Sequence, residues 1–449
     1  MHWRNNQIMK KTGITLIVSL LILIGHLTAA SAFDQAVLDR LIVMAQQKNP
    51  LIGASHERVI SSEAAIEEAS AKMGPKIGVA AGALWQKDDP LLPAISPVTG
   101  SLIGVVPVGY RNTYVAAAGF IQTVYAGGSL YAGKQAAMLA KEAVVADEKR
   151  VGQSVSNAVR IAFYNLKRAE EKEVVAKESV GLAKSHLTRA EKLFKAGVVA
   201  KSDVLRSKVA VADAELGLIR VANSVKIALT SLERAVGTEI SPDSVKTGAP
   251  LSAKDILNAM ETDLPDDHME MAYKDRMELK VYDNLSRQAY KIARAERGQL
   301  LPQIVAGGAI TNVDNGFFPS GNEEWLMGMM VYWNLFDSGE ISAKTKQAKA
   351  KARELLCMLD DAKNSIKMEV TQAELNLKSA ESRLNVAERQ VTESEEDYRI
   401  AVKRYEEQVG TNLDILDARL ALINSKTERV DALYDISIAY ANLIYAVGK

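Results

Sequence analysis

The chain has one cysteine, Cys357, among 449 residues, so no intrachain disulfide can hold it together in any redox compartment. The position of Cys357 within a helical pattern predicts a small buried residue. Aromatic residues make up only 6%, and alanine is abundant, which suits helices packed closely rather than a core built on large rings. Neither sign of charge is in excess, with 55 Lys plus Arg against 55 Asp plus Glu. Arg4, Lys10 and Lys11 lie in a leader-like stretch, so the chain beyond it is near −3, and no basic surface for nucleic acid is expected. With 48% hydrophobic and 24% charged residues, the composition is that of a folded chain, and its length suggests two or three domains.

Long apolar runs are also missing. Beyond residue 32 no segment is apolar enough to span a bilayer as a helix, so any membrane insertion has to use strands. Residues 1–32 read as a secretory signal: Lys10-Lys11, an apolar run from Ile14 to Ile24, and Ala30-Ser31-Ala32 as a small-x-small cleavage site. That run falls short of the roughly 20 residues a spanning anchor needs. The predicted mature chain begins at Phe33, where no cysteine stands to carry a lipid.

What the chain has is repetition. An offset of 211 pairs Val124-Tyr125-Ala126-Gly127-Gly128 with Leu335-Phe336-Asp337-Ser338-Gly339, Phe194 with Tyr405, Asp203 with Asp414, and Ala235-Val236-Gly237 with Ala446-Val447-Gly448. Upstream, Gly74-Pro75-Lys76-Ile77 pairs with Leu301-Pro302-Gln303-Ile304 at an offset of 227, so the first copy carries 16 extra residues. The extra length falls in the Pro/Gly-rich stretch Asp89 to Gly109, read as a long loop. The copies span 33–237 and 266–449, and the proline-bearing segment 238–265 reads as a linker.

Each copy orders its elements alike. A helix (about 34–72; about 266–297) ends before proline. Two strand-like segments follow (76–86 with 113–125; 303–313 with 325–336), rich in small, β-branched and aromatic residues. A long helix then runs 129–196 or 340–407, turns, and returns as a shorter helix, 203–236 or 413–447. In the second copy Ile366, Val370, Ala373, Leu377, Ala380, Leu384, Ala387 and Val391 alternate steps of four and three; Val155 to Phe194 do the same in the first. A seam sustained so long is a coiled coil, and each long helix would extend about 100 Å at 1.5 Å per residue.

Four short strands cannot stand alone in lipid, because open edges leave backbone groups unpaired. Bacterial barrels begin at about eight strands, so embedded strands require several copies, and three would supply twelve. Tyr114, Phe120, Tyr125, Trp325, Tyr332, Trp333 and Phe336 favour this barrel, since aromatics gather at bilayer interfaces. The alternative is a periplasmic coiled-coil spacer or adaptor, without a pore, whose hairpins are soluble caps.

The duplicated architecture, together with Arg404-Tyr405 and Asp414-Ile415-Leu416-Asp417-Ala418, resembles the TolC-like outer-membrane efflux proteins over essentially the whole mature chain. The resemblance implies a mainly α chain with a small β part, assembled as a homotrimer. Its twelve-stranded outer-membrane barrel would continue into a periplasmic α-helical tunnel. It implies an exit duct for tripartite efflux or type I secretion, working with a periplasmic adaptor and an inner-membrane transporter, either a pump or an ATP-driven exporter.

The resemblance also implies that the helix turns gate the periplasmic end. Asp414 and Asp417, which share a helix face at i and i+3, would form carboxylate rings facing the pore. Tyr405, Ser202 and Asp203 would form a hydrogen-bonded link between the repeats. Read without the resemblance, Asp414 and Asp203 equally suit helix N-terminal capping, whereas Asp417 lies a turn further in. The family's arginine latch falls on Gly410, and its turn glycine on Gln408, so the resting gate is expected to be either looser than in the family or held by Lys201 instead. The turns Gly197-Val198-Val199-Ala200-Lys201 and Val409-Gly410-Thr411-Asn412-Leu413 would receive the adaptor.

No catalytic, cofactor or metal residues are expected. Gly128-Ser129-Leu130-Tyr131-Ala132-Gly133-Lys134 is one residue short of a P-loop and continues with Gln135 instead of Ser or Thr. His56, His186 and His268 are scattered without metal-ligand spacing.

Overall fold

The computed structural model describes residues 35–88, 91–95, 102–107, 110–245, 267–317, 321 and 323–449. The expected signal, 1–32, and most of the expected linker lie outside them. In chain order the elements are α1 (35–48), α2 (Pro50–Ala71), β1 (Lys76–Trp85), β2 (Leu91–Ile95), β3 (Leu102–Pro107), β4 (Asn112–Ala126), α3 (Ser129–Lys195), α4 (Lys201–Val236) and the single turn α5 (Pro242–Val245). The second copy follows with α6 (His268–Asp275), α7 (Met277–Gly298), β5 (Gln303–Asp314), β6 (Glu323–Tyr332), α8 (Glu340–Glu406) and α9 (Asn412–Ala446). Among the described residues no helix is long and apolar enough to cross a membrane.

The chain forms two compact units that cut across the two copies. One comprises the described residues within Met1–Glu57, Ala146–Leu279 and Asp361–Lys449, and the other those within Arg58–Val145 and Lys280–Asp360. The second unit holds a four-stranded antiparallel sheet ordered β1-β4-β5-β6, so the copies join where β4 pairs with β5. Both outer strands, β1 and β6, are exposed along their whole length. The first unit holds the helix turns, and its core is duplicated. Val155, Val159, Leu232 and Val236 are buried in the first copy; their images Ile366, Val370, Leu443 and Val447 are buried in the second.

The duplication extends to the joints. Each first helix, expected to be continuous, is broken once, at Asn49 and at Arg276. Pro50 disfavours a helical Asn49, and the Asn49 Oδ1 accepts from Leu51 N at 2.8 Å, capping α2. Asn49 Nδ2 donates to the carbonyl of Ala235 at 2.7 Å, and Arg276 Nη1 to that of Ala446 at 3.3 Å. Gly237 and Gly448 end the return helices with φ of 88° in both. A Cβ on either would lie 2.7 Å from Asn49 Cα or 2.8 Å from Asp275 C, so only glycine allows the chain to pass this close.

Several expectations are corrected. Cys357 is exposed rather than buried: Ala352 and Leu355 carry the buried face there, and two further residues turn the side chain to the far side. The stretch 89–109, expected as loop, contains the antiparallel hairpin β2–β3, whose apolar runs LLPAI and LIGVVP outweigh the flanking prolines and glycines. The start of the expected linker is packed, with Ile240 and Val245 in the first-copy core. Phe194, placed on the seam, is 42% exposed. Toward the end of α3 the buried line runs Val175, Ser179, Ala183, His186, Ala190, one residue ahead of the expected Ala176, Val180 and Leu187. A stripe at 3.5 residues per repeat drifts on a helix of 3.6 per turn, which accounts for the slip.

Candidate gate at the helix turns

The turns reverse α3 into α4 and α8 into α9 with one geometry. Gly197 takes φ 73° to close the first, and its image Gln408 takes φ 66°. A side chain in the left-handed region is strained, and here Val409 N and Gly410 N both donate to the Arg404 carbonyl, at 2.9 and 3.0 Å, to hold it. Gly410 lies against Arg404, leaving a Cβ there 2.9 Å from that residue's own. Val198, Val409 and Leu413 are exposed, Val199 and Gly410 are half-buried, and Gly197, Ala200, Lys201 and Thr411 lie at the surface, whereas Asn412, expected on the exposed docking turn, is buried because its side chain is turned inward to hydrogen-bond α3 and α4.

The two helix starts differ chemically. At α9, Thr411 and Asp414 form a reciprocal cap: Thr411 N donates to Asp414 Oδ2 at 2.9 Å, and Asp414 N to Thr411 Oγ1 at 3.2 Å. Hydrogen bonding from the Thr411 backbone N–H first, and then from the Thr411 side chain, holds the Asp414 carboxyl below its ordinary pKa. At α4 the N-cap is Ala200, which has no side chain to accept, and Asp203 makes no capping bond. Asp203, half-buried, instead offers its carbonyl to Ser207 Oγ at 2.8 Å and to Asn412 Nδ2 at 3.4 Å. Asp417 is exposed, as is Ser202.

Tyr405 is buried at 3% exposure, packed with Ala401, Ile415 and Ala418. Its hydroxyl has no hydrogen-bond partner among the described residues, so the expected bond to Ser202 and Asp203 is not made in this chain. Burial and the nearby Asp203 carboxylate push the phenol pKa up.

A buried side-chain contact that helps join the copies at this end is one that sequence reading missed. His186, on α3 and 1% exposed, lies with Nε2 2.6 Å from Asn412 Oδ1, and Ser207 Oγ is 3.4 Å from the same oxygen. Its ring meets that of Tyr405 edge-on, with centroids 5.5 Å apart. The signal available was the spacing to Ala183 and Ala190, three and four residues away on the buried line.

Ion pairs tie the copies together along the helices. Arg189 meets Glu406 at 2.9 Å near the turns. Further along α9, Asp435 accepts from Arg168 of α3 at 2.6 Å and from Arg383 of α8 at 3.0 Å, while Lys172 meets Asp431 at 2.7 Å.

Residues 41–238 and 272–449 match the family model described as Outer membrane efflux protein. The chain is 23% identical over 316 residues to the alkaline protease secretion protein AprF of Pseudomonas aeruginosa, covering 68% of this chain and 64% of that one. It is 24% identical to the probable efflux pump outer membrane protein TtgC of Pseudomonas putida, covering 56% of this chain and 51% of that one. It thus spans between about half and two thirds of the length of these curated relatives. The crystal structure of the outer membrane protein VceC from Vibrio cholerae superposes with a TM-score of 0.74 at 20% identity, covering 93% of this chain and 98% of that one. The family model matches both copies, on either side of the linker, and the chain belongs to the outer membrane efflux protein family.

Proposed function

We propose that the protein is a passive outer-membrane exit duct, assembled from three copies, through which an inner-membrane transporter and a periplasmic adaptor discharge cargo. The observation that carries this reading is the sheet. It is four strands wide with both edges open, and β6 exposes Trp325, Met327 and Met329 on one face and Leu326, Met330 and Tyr332 on the other. Such a sheet is unstable alone in water or lipid. Three of them, twelve strands in all, suffice to close a barrel. The helices would then line the periplasmic continuation, with the turns at its far end.

Within this reading Asp417 presents a free carboxylate to the passage, and Asp414 contributes charge while it caps α9. Repeated by threefold symmetry, the pair makes two carboxylate rings that attract cations and select against anions. Tyr405, Ser202 and Asp203 belong to the same gate, with Lys201 in place of the arginine latch. The exposed Val198, Val409 and Leu413 give an adaptor apolar tips to grip. Selection of cargo falls to the transporter; the matched relatives carry names from both protease secretion and efflux.

The test is the oligomeric state of protein extracted from outer membranes. The reading expects a trimer that resists dissociation in warm detergent and fractionates with the outer membrane. A soluble periplasmic monomer would overturn it in favour of a spacer without a pore.

A further inference from the structure

We propose that His186 is a proton-operated release for the joint that holds the start of α9 against α3 and α4, loosening the turns when the surrounding pH falls. Four helices meet around the His186–Asn412 pair: α3 and α9 through the pair itself, α8 through the Tyr405 ring against His186, and α4 through Asp203 and Ser207, which bond to Asn412. Asn412 directs its amide nitrogen to the Asp203 carbonyl, so its Oδ1 faces His186 and the imidazole must donate from Nε2. The remaining nitrogen, Nδ1, is buried without a partner among the described residues. A second proton can go only there, where no acceptor waits.

The charged and titratable groups around the ring come from every packed element. Arg189 on α3 and Arg419 on α9 oppose a positive charge, Asp203 on α4 favours one, and Tyr405 on α8 presents an edge with an unpartnered hydroxyl. Burial is the largest influence and holds the imidazole below its ordinary pKa, while Asn412 and Asp203 offset part of it. The packed state therefore binds fewer protons than a loosened one in which His186 reaches water. The contact contributes fully above the ordinary histidine value of about 6.5 and is lost as pH falls below it. Each pH unit between the two pKa values shifts the balance by up to about tenfold.

The experiment is amide hydrogen exchange across residues 405–418 of the full chain in detergent, at about pH 7.5 and about pH 5.5, either side of the ordinary histidine range. After correction for intrinsic exchange, the first turns of α9 should open faster at the lower pH by up to about tenfold per unit. His186→Gln keeps a donor for Asn412 without titrating, and should abolish the response. Asn412→Asp places a carboxylate against the imidazole, which retains the proton in the packed state, and should move the response to lower pH. An unresponsive wild type, or an undiminished response in His186→Gln, overturns the proposal. Should His186→Gln fail to assemble, an unshifted response in Asn412→Asp overturns it instead. Any effect on conductance rests on the duct reading; absence of conductance at every pH would sink that reading and leave the exchange result to judge the release.

Discussion

Asn49 donates to the Ala235 carbonyl and Arg276 to the Ala446 carbonyl, and the two contacts are images of each other under the duplication. The joint is the same but the chemistry has diverged. Asn49 does its work with one amide, whereas Arg276 also pairs with Glu278 at 2.9 Å and Glu369 at 2.7 Å, and lies over the Tyr445 ring at 5.2 Å. Arg276→Ala should therefore cost about 3 kcal/mol, the lower end for a buried pair because Glu369 lies near solvent. Asn49→Ala should cost about 1–2 kcal/mol for a lost cap and buried bond. Denaturant unfolding followed by the helical signal checks both, and equal losses would contradict this division.

Gly237 and Gly448 each combine φ of 88° with a neighbouring backbone where a Cβ would stand. Either Gly→Ala substitution should destabilise by about 1–3 kcal/mol, since strain and close contact act together. The same change at Gly217, where a Cβ meets nothing within 4 Å, serves as the control and should be neutral or stabilising in its helix. Midpoints in denaturant would show the contrast.

Gln408 occupies the position that Gly197 fills in the first copy, with the same left-handed backbone. Gln408→Gly should relieve about 1 kcal/mol of strain, whereas Gly197→Gln should cost a similar amount. Slower exchange of the 405–411 amides in Gln408→Gly would be the sign that the second turn has stiffened.

The two acidic residues of the second turn should separate. Thr411→Ala removes one half of the α9 cap and should cost about 1 kcal/mol, Asp414→Ala should also destabilise the helix start, and Asp417→Asn should leave stability unchanged. In single-channel recordings Asp417→Asn should weaken divalent-cation block without altering the helix start. The depressed pKa of Asp414 means its cap is intact above the ordinary carboxylate value and fails only as pH drops through the lower folded one. Loosening of α9 that sets in as pH falls below the ordinary histidine value thus belongs to His186, whose burial holds its pKa below that value.

The architecture was legible because duplication wrote it twice. One offset of 211 aligned both 67-residue helices to the residue, α3 on α8, and the change of period at Gly128 and Gly339 marked their starts. Side chains that depend on a third helix were not legible. Phe194 lies near the expected stripe, yet a drift of one residue faces it outward, and Cys357 stands two residues past the buried Leu355, on the far side of its helix. His186 reads as an ordinary polar residue until α9 brings Asn412 to it from 226 positions away. The Asp414 cap was open to reading from Thr411 and its spacing; the unpartnered Tyr405 hydroxyl was not, because sequence places a tyrosine but not its hydrogen bonds.

Three copies that enclose a passage must conduct ions, and conductance measures this directly. Purified, heat-resistant trimers added to a planar bilayer should give discrete single-channel steps that are cation-selective and partly blocked by divalent cations, with the block relieved in Asp417→Asn. Correctly assembled trimers that insert and pass no current under any applied voltage would contradict the account.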